Sequence, residues 1–234
     1  MHPIESERLR LRRLEPDRDA APMLALLNDP GFVRFIGDRN VHSEEQAREY
    51  IALRVLHSYA LNGFGMYAIE RLSDGAWVGN AGLVRRDGLP GPDIGYAVLS
   101  QFAGQGYASE AARAVFAHAR GALGLHDLYG ITDLDNVVSG KILLGLGMLE
   151  RGVIQLPGIE SASRLYATPG PALPDVDVQP RSSASCACSS ATAASSWATR
   201  SARPGSAASP LPPPLLAYFA ANAAPSTSPH SRCM

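Results

Sequence analysis

The segment Asp93 to Ala111, DIGYAVLSQFAGQGYASEA, constrains the fold more than any other stretch of this chain. It reads as a short apolar strand, a glycine-rich turn and the opening of a helix. Gly104, Gln105, Gly106, Tyr107 and Ala108 bring consecutive backbone N–H groups to that helix start with little side-chain bulk in the way. The first N–H groups of a helix have no internal partner, and the helix dipole favours negative charge there, so such a turn can wrap a phosphate. Two well-known phosphate loops do not fit. A dinucleotide fold asks for G-x-G-x-x-G early in a βαβ unit, but here the third position is Ser109 and meandering strands precede the turn. A nucleoside-triphosphate loop ends in Gly-Lys-Ser/Thr, whereas this one runs into Tyr107-Ala108-Ser109. The plain alternative is that Gly104 and Gly106 only shape a strand-to-helix connection.

The surrounding sequence, about Ile4 to Thr168, alternates short strands and helices. Arg8 to Leu14 alternates at period two with Leu9 and Leu11 on one face, which predicts a half-buried strand; the arginines Arg8, Arg10, Arg12 and Arg13 read as its solvated side. Asp17 to Asn28 carries helical spacing and stops before Pro30. Ser43 and Gln46 form a capping box that opens a longer helix. Strands are expected at Gly65–Arg71, Trp77–Arg86 and Asp93–Leu99, with turns at Ser73-Asp74-Gly75 and Leu89–Pro92. A helix from Tyr107 to Leu123, a strand at Leu128–Thr132, a short helix at Ser139–Leu144 and strands at Met148–Ile154 and Arg164–Ala167 complete the body. The order is β-α-α-β-β-β-α-β-α-β-β: an α+β fold with a mixed, mostly antiparallel sheet of about six to seven strands flanked by helices, and no internal repeat.

Composition changes near Pro169. After Asp177 no acidic residue follows, and Ala, Ser, Pro and Arg dominate to residue 234. Such a stretch cannot bury enough apolar surface to offset chain entropy, so a disordered tail is expected over residues 169–234, with a short apolar helix at Leu215–Ala224 at most. Two origins stay open for it, a genuine extension or the product of a shifted reading frame. The cysteines, Cys186, Cys188 and Cys233, all lie in this part, which removes a disulfide framework or a thiolate zinc site from the body; no metal is expected. A net charge of −1 gives no global reason to expect nucleic acid or an anionic membrane as partner. No apolar run reaches the roughly 18 residues of a membrane span, and the N-terminus lacks the core of a secretory signal, so a cytoplasmic protein is expected.

VLSQFAGQGYASEA resembles the acyl-coenzyme A-binding motif of the GNAT N-acetyltransferase superfamily, and Gly-Tyr-Ala followed by Ser-Glu-Ala is similar to its ribosomal-protein N-acetyltransferase branch. Further landmarks stand in the branch's order: ERLRLRRLEPD, GFGMYAI, WVGNAGL, DIGYAVL, then Asp135 to Ser139 at the N-x-x-S pair and Gly145-Leu146-Gly147-Met148 at the closing Gly-Phe. The resemblance covers residues 5–168. The motif Q/R-x-x-G-x-G/A fits in two registers, Gln101-x-x-Gly104-x-Gly106 and Ala103-x-x-Gly106-x-Ala108; the second aligns Tyr-Ala-Ser-Glu-Ala and is preferred.

The resemblance implies an acetyl-coenzyme A-dependent amine N-acetyltransferase, a monomer or homodimer, working without a metal. The backbone of Gly104, Gln105, Gly106, Tyr107 and Ala108 would bind the pyrophosphate. The strand through Tyr96 and Val98 would pair with the pantetheine arm, and Asn136 and Ser139 would touch that arm from the other side. A primary amine, either a protein N-terminus or a small molecule, would attack the thioester directly in a ternary complex. Ser139 is the candidate proton donor to the departing thiolate, with a helix N-cap as its competing role. Many relatives place a Tyr four residues later, where this chain has Leu143. Asp133, Asp135 and Glu70 are the carboxylates considered for the base, and His118 and Tyr96 read more simply as packing residues. The alternative function is a catalytically impaired module of the same fold that binds acetyl-coenzyme A as a ligand or sensor. The segments 30–44 and 156–163 are expected to be loops that choose the acceptor.

Overall fold

The computed structural model describes residues 3–159 and 161–170. Expectations for the tail beyond residue 170, including a helix at Leu215–Ala224, lie outside the described residues. Eight strands form one sheet: β1 Ile4–Glu5, β2 Leu9–Arg13, β3 Met66–Arg71, β4 Trp77–Val84, β5 Asp93–Val98, β6 Tyr129–Asp133, β7 Leu149–Ile154 and β8 Ser163–Ala167. Their order across the sheet is β1-β2-β3-β4-β5-β6-β8-β7. The helices are α1 Pro16–Leu27, α2 Pro30–Ile36, α3 Glu44–Tyr50, α4 His57–Asn62, α5 Tyr107–Gly121 and α6 Val137–Gly145. A wider π turn, Ile51–Leu56, joins α3 to α4 and keeps Ile51 and Val55 buried. The sheet thus exceeds the six to seven strands expected, because the two-residue β1 is too short to leave a periodic signal. The segment 30–44, expected to be a loop, begins with α2.

Local chemistry accounts for most of these elements. Leu9 and Leu11 are fully buried while Arg10 is exposed, as the alternation in β2 requires. Ser43 accepts from the Gln46 N–H at 3.2 Å and caps α3, and the Gln46 side chain returns to the His42 N–H at 2.7 Å, one residue earlier than an ideal capping box.

The sheet carries helices on both faces. Asn80 and Ala81 are neighbours on β4, so their side chains leave opposite faces. Asn80 reaches Met23 of α1, whereas Ala81 lies opposite Tyr67, whose ring meets His118 of α5 edge-on. Tyr96 is the register partner of Ala81 from the other side and therefore lies on the α5 face.

Three of the four N-terminal arginines, Arg8, Arg10 and Arg13, are exposed as expected, and Arg12 is the exception. Arg12 grips Asp19 with both terminal nitrogens, at 2.6 and 2.7 Å, and donates to Glu70 at 2.8 Å, all three side chains being nearly buried. Arg13 lies over the Tyr59 ring, 4.2 Å from its centre. Arg10 pairs with exposed Glu5.

Candidate active site

The chemistry of the sheet changes at β5. All neighbouring strands run antiparallel except β5 and β6, which are parallel. Six consecutive residues of β5, Asp93 to Val98, are registered with β4, but toward β6 only Asp93 is paired, with Tyr129. The two strands then diverge and leave a wedge along residues 94–98. A crevice at the carboxyl ends of parallel strands is where open sheets receive ligands, because strand backbone and following helix N-termini converge there. At the apex, Asp93 is buried, and burial pushes its carboxyl above the usual carboxylate range despite the adjacent Arg86 guanidinium.

One side of the wedge runs into the glycine turn. After a single 3₁₀ turn, Ser100–Phe102, the chain passes Gly104 at φ 75° and Gly106 at φ 82°, both in the left-handed region that favours glycine. Gly106 is the N-cap of the 15-residue α5 and no side chain caps it. The turn is exposed, with bare N–H groups at the start of a long helix, so it has the form of an anion cradle.

A clamp holds this cradle, and sequence reasoning missed it. Glu110, in the first turn of α5, accepts from the Ser6 hydroxyl and the Arg8 N–H, each at 2.8 Å, and from Arg8 Nε at 2.7 Å. Arg8 in turn donates to the Gln105 carbonyl at 3.1 Å and lies 4.7 Å above the Tyr107 ring. Burial opposes ionisation of Glu110, yet those three hydrogen bonds and the Arg8 charge hold its carboxyl below the usual value. Arg71 approaches Tyr107 from β3, donating to its hydroxyl at 3.3 Å, so two guanidiniums flank the turn. The only sequence signal was the acidic residue at the helix start.

The other side of the wedge is the junction between β6 and α6. Asn136 is the N-cap of α6, and its Oδ1 accepts from the Ser139 N–H at 3.0 Å. Ser139 is therefore not the cap, as its competing reading had it: the helix starts earlier, because Asn136 is the better-placed acceptor. Its Nδ2 donors have no part in the cap and stay available to a ligand. The Ser139 hydroxyl lies 2.9 Å from the Tyr96 hydroxyl, which also donates to the Ser139 carbonyl at 3.0 Å. Tyr96 is thus more than a packing residue, and the structure joins two candidates that sequence reading kept separate.

The remaining candidates are dispersed. Val98 is half-buried at the open end of β5, and Ala108 is half-buried in the first turn of α5. Glu70 lies two strands from the wedge, held by Arg12 and Arg18. Asp133 accepts from the Asp135 N–H at 2.8 Å and shapes the junction, while Asp135 is exposed. His118 packs against Tyr67, and burial lowers its pKa. Leu143 is buried over Gly130. Asp29 caps α2 through Gly31 and binds the Ser100 N–H and hydroxyl at 2.8 and 2.7 Å, tying α2 to the end of β5. Among the described residues, no group of three or more His, Cys, Asp or Glu is placed to hold a metal ion, and no helix is long and apolar enough to cross a membrane.

The sequence profile of the acetyltransferase (GNAT) domain matches residues 8–149, a span that includes the turn, the wedge and α6. The chain belongs to the GNAT acetyltransferase family. It is an acyltransferase, of a family that takes its acetyl group from acetyl-coenzyme A. This GNAT acetyltransferase is 30% identical over 159 residues to the Uncharacterized N-acetyltransferase YoaA of Bacillus subtilis (strain 168), covering 66% of this chain and 88% of that one. Its fold is that of RimL, a ribosomal-protein alpha-N-acetyltransferase solved in complex with coenzyme A, at TM-score 0.61 and 20% identity over 71% of this chain and 97% of the other. A ribosomal-protein-alanine acetyltransferase from Vibrio fischeri is equally close in shape, at TM-score 0.61 and 16% identity over 77% of this chain and all of that one.

Proposed function

We propose that this GNAT acetyltransferase moves the acetyl group of acetyl-coenzyme A to a primary amine by direct attack within a ternary complex. The observation that carries the reading is the wedge: a strand edge open along residues 94–98 that leads straight into an uncapped helix start. The backbone of Gly104 to Ala108 holds the pyrophosphate, with Arg8 and Arg71 adding positive charge beside it. The edge of β5 at Tyr96 and Val98 pairs with the amide groups of the pantetheine arm, which resembles a peptide, and a backbone N–H there steadies the oxyanion as the amine adds. Asn136 supports the arm from α6, and Ser139 returns a proton to the sulfur. The acceptor is a protein N-terminus or a small amine. Relatives of this shape whose names specify ribosomal proteins as acceptors favour the first.

Thermal shift with acetyl-coenzyme A, followed by thiol release with a panel of N-terminal peptides and small amines, tests the proposal. We expect a rise in melting temperature on adding the donor and amine-dependent release of thiol. Binding without turnover on any amine would identify a ligand-binding module instead, a reading that the buried Leu143 at the relatives' Tyr position keeps open. No thermal shift at all would remove coenzyme A from the site.

A further inference from the structure

The contact between Tyr96 and Ser139 joins β5 to α6 across the wedge, through two hydroxyl groups. Nothing in the packing of two apolar elements requires it; an aromatic ring without the hydroxyl would fill the same volume. The geometry points to Tyr96 as the proton reserve behind Ser139: Ser139 gives its hydroxyl proton to the departing sulfur and takes the phenolic proton of Tyr96 in return. This deepens the acetyl-transfer reading above and rests on it.

The hydrogen-bond pattern allows the relay. At rest the phenol donates to the Ser139 carbonyl at 3.0 Å and the Ser139 hydroxyl can donate to the phenol oxygen at 2.9 Å. Rotation of each O–H about its own C–O bond converts this arrangement into a series running from Tyr96 through Ser139 Oγ to the wedge. In the step itself the acyl C–S bond breaks and its electron pair goes to sulfur. Sulfur takes the Ser139 proton, Ser139 Oγ takes the Tyr96 proton, and the phenolate is reprotonated from solvent, which has received the proton released by the amine as the N–C bond forms.

The arrangement answers a chemical difficulty. A thiol ionises near pH 8.5 and a phenol near pH 10, whereas a serine alcohol is a far weaker acid. Serine acting alone would finish as an alkoxide; with the phenol behind it, the charge comes to rest on a phenolate, a weaker base than an alkoxide. Burial pushes the Tyr96 phenol above its usual value, with Asp93 on the same strand and Tyr166 of β8 adding to the effect, so it keeps its proton through neutral pH. Tyr96 is a positioning and proton-supplying residue in this scheme, acting through Ser139.

The test is Tyr96→Phe, assayed with acetyl-coenzyme A and with acetyl-selenocoenzyme A, whose selenolate leaves without needing a proton. We expect kcat with the thioester to fall on the order of 100-fold, the lower end for loss of a proton-transfer group, with the donor KM within about threefold of wild type. With the selenoester the loss should shrink to about fivefold or less. Tyr96→Phe added to Ser139→Ala should cost little beyond Ser139→Ala alone, as groups acting in one unit are not additive. Equal losses on both donors, or full activity of Tyr96→Phe, would overturn the relay while leaving acetyl transfer intact. A wild-type enzyme that binds the donor and releases no thiol with any amine would overturn both.

Discussion

Two strand-to-helix junctions leave the same end of the parallel pair, and they are finished in opposite ways. At β5–α5 the N-cap is Gly106, which has no side chain to offer, so the first N–H groups of a 15-residue helix stay open. At β6–α6 the N-cap is Asn136, which satisfies the Ser139 N–H itself, and Asp133 shapes the preceding turn by accepting from the Asp135 N–H. The first junction is stiffened by a distant residue, Arg8, which Glu110 of α5 holds in place; the second is stiffened by its own side chains. The same local topology therefore yields an anion cradle on one side and a presented hydroxyl on the other. Leaving N–H groups unsatisfied prepares a place for negative charge, and capping them prepares a place for side-chain chemistry.

Filling the open junction should have the largest effect. Gly106 sits at φ 82°, and a Cβ there would come within 3.4 Å of Arg8 Nη2. Gly106→Val adds a branched side chain in a conformation that costs an L-residue roughly 1–2 kcal/mol, and it covers the N–H groups of the turn. Calorimetric titration should show acetyl-coenzyme A affinity reduced by at least about 100-fold, or about 2.7 kcal/mol. The unliganded melting temperature, measured alongside, separates loss of the cradle from loss of the fold. Affinity unchanged in a folded variant would remove the pyrophosphate from this turn.

Loosening the outer brace should come next. Glu110→Gln keeps the shape of the side chain but gives up the charge that pairs with Arg8, at an expected cost of about 1–3 kcal/mol in stability at neutral pH. The pH dependence has a defined sign. The folded-state pKa of Glu110 lies below its ordinary 4.5, so its contribution is fully present above that value and is lost as pH falls through the lower, folded-state value. Urea unfolding from about pH 7 down to about pH 3 should therefore show a shallower acid decline in the Gln variant than in wild type. Asp29, held low by the Ser100 and Gly31 N–H groups and the Ser100 hydroxyl against the effect of burial, leaves part of that decline in place. Parallel acid limbs for both proteins would show that Glu110 does not carry the linkage.

The contrast also marks what could be read from the chain. Open junctions are local: Gly104, Gly106 and the absence of a Lys-Ser/Thr ending were enough to single out the turn. The strand and helix order was legible for the same reason, since periodicity and turn residues act over a few positions. What escaped were contacts between distant positions. The partners of Arg12 lie 7 and 58 residues away, Glu110 lies 102 from Arg8, and Ser139 lies 43 from Tyr96. Alternation could say only which face of β2 an arginine leaves, so the buried grip on Asp19 looked like solvent exposure. Helix α2 was hidden by its own punctuation: Pro30 reads as the stop of the preceding helix, and seven residues give too little periodicity to show a new one. The Pro is at the first helical position, where its missing N–H costs nothing.

The smallest effect belongs to the capped junction, and it separates two jobs that Asn136 combines. Asn136→Ala removes the acceptor for the Ser139 N–H and should cost about 1 kcal/mol, the usual value of an N-cap, read from chemical unfolding. Because the cap fixes the first turn of α6, the same variant should lower kcat severalfold through Ser139. Asn136→Asp keeps a capping oxygen and adds a charge favourable to a helix start. It should restore stability and kcat together if capping is the role that matters. Nδ2 is lost in both variants, so a donor KM that stays raised in Asp while kcat recovers would assign Nδ2 to the pantetheine arm. Recovery of all three would leave Asn136 as a cap alone, and would place recognition of the arm on the edge of β5.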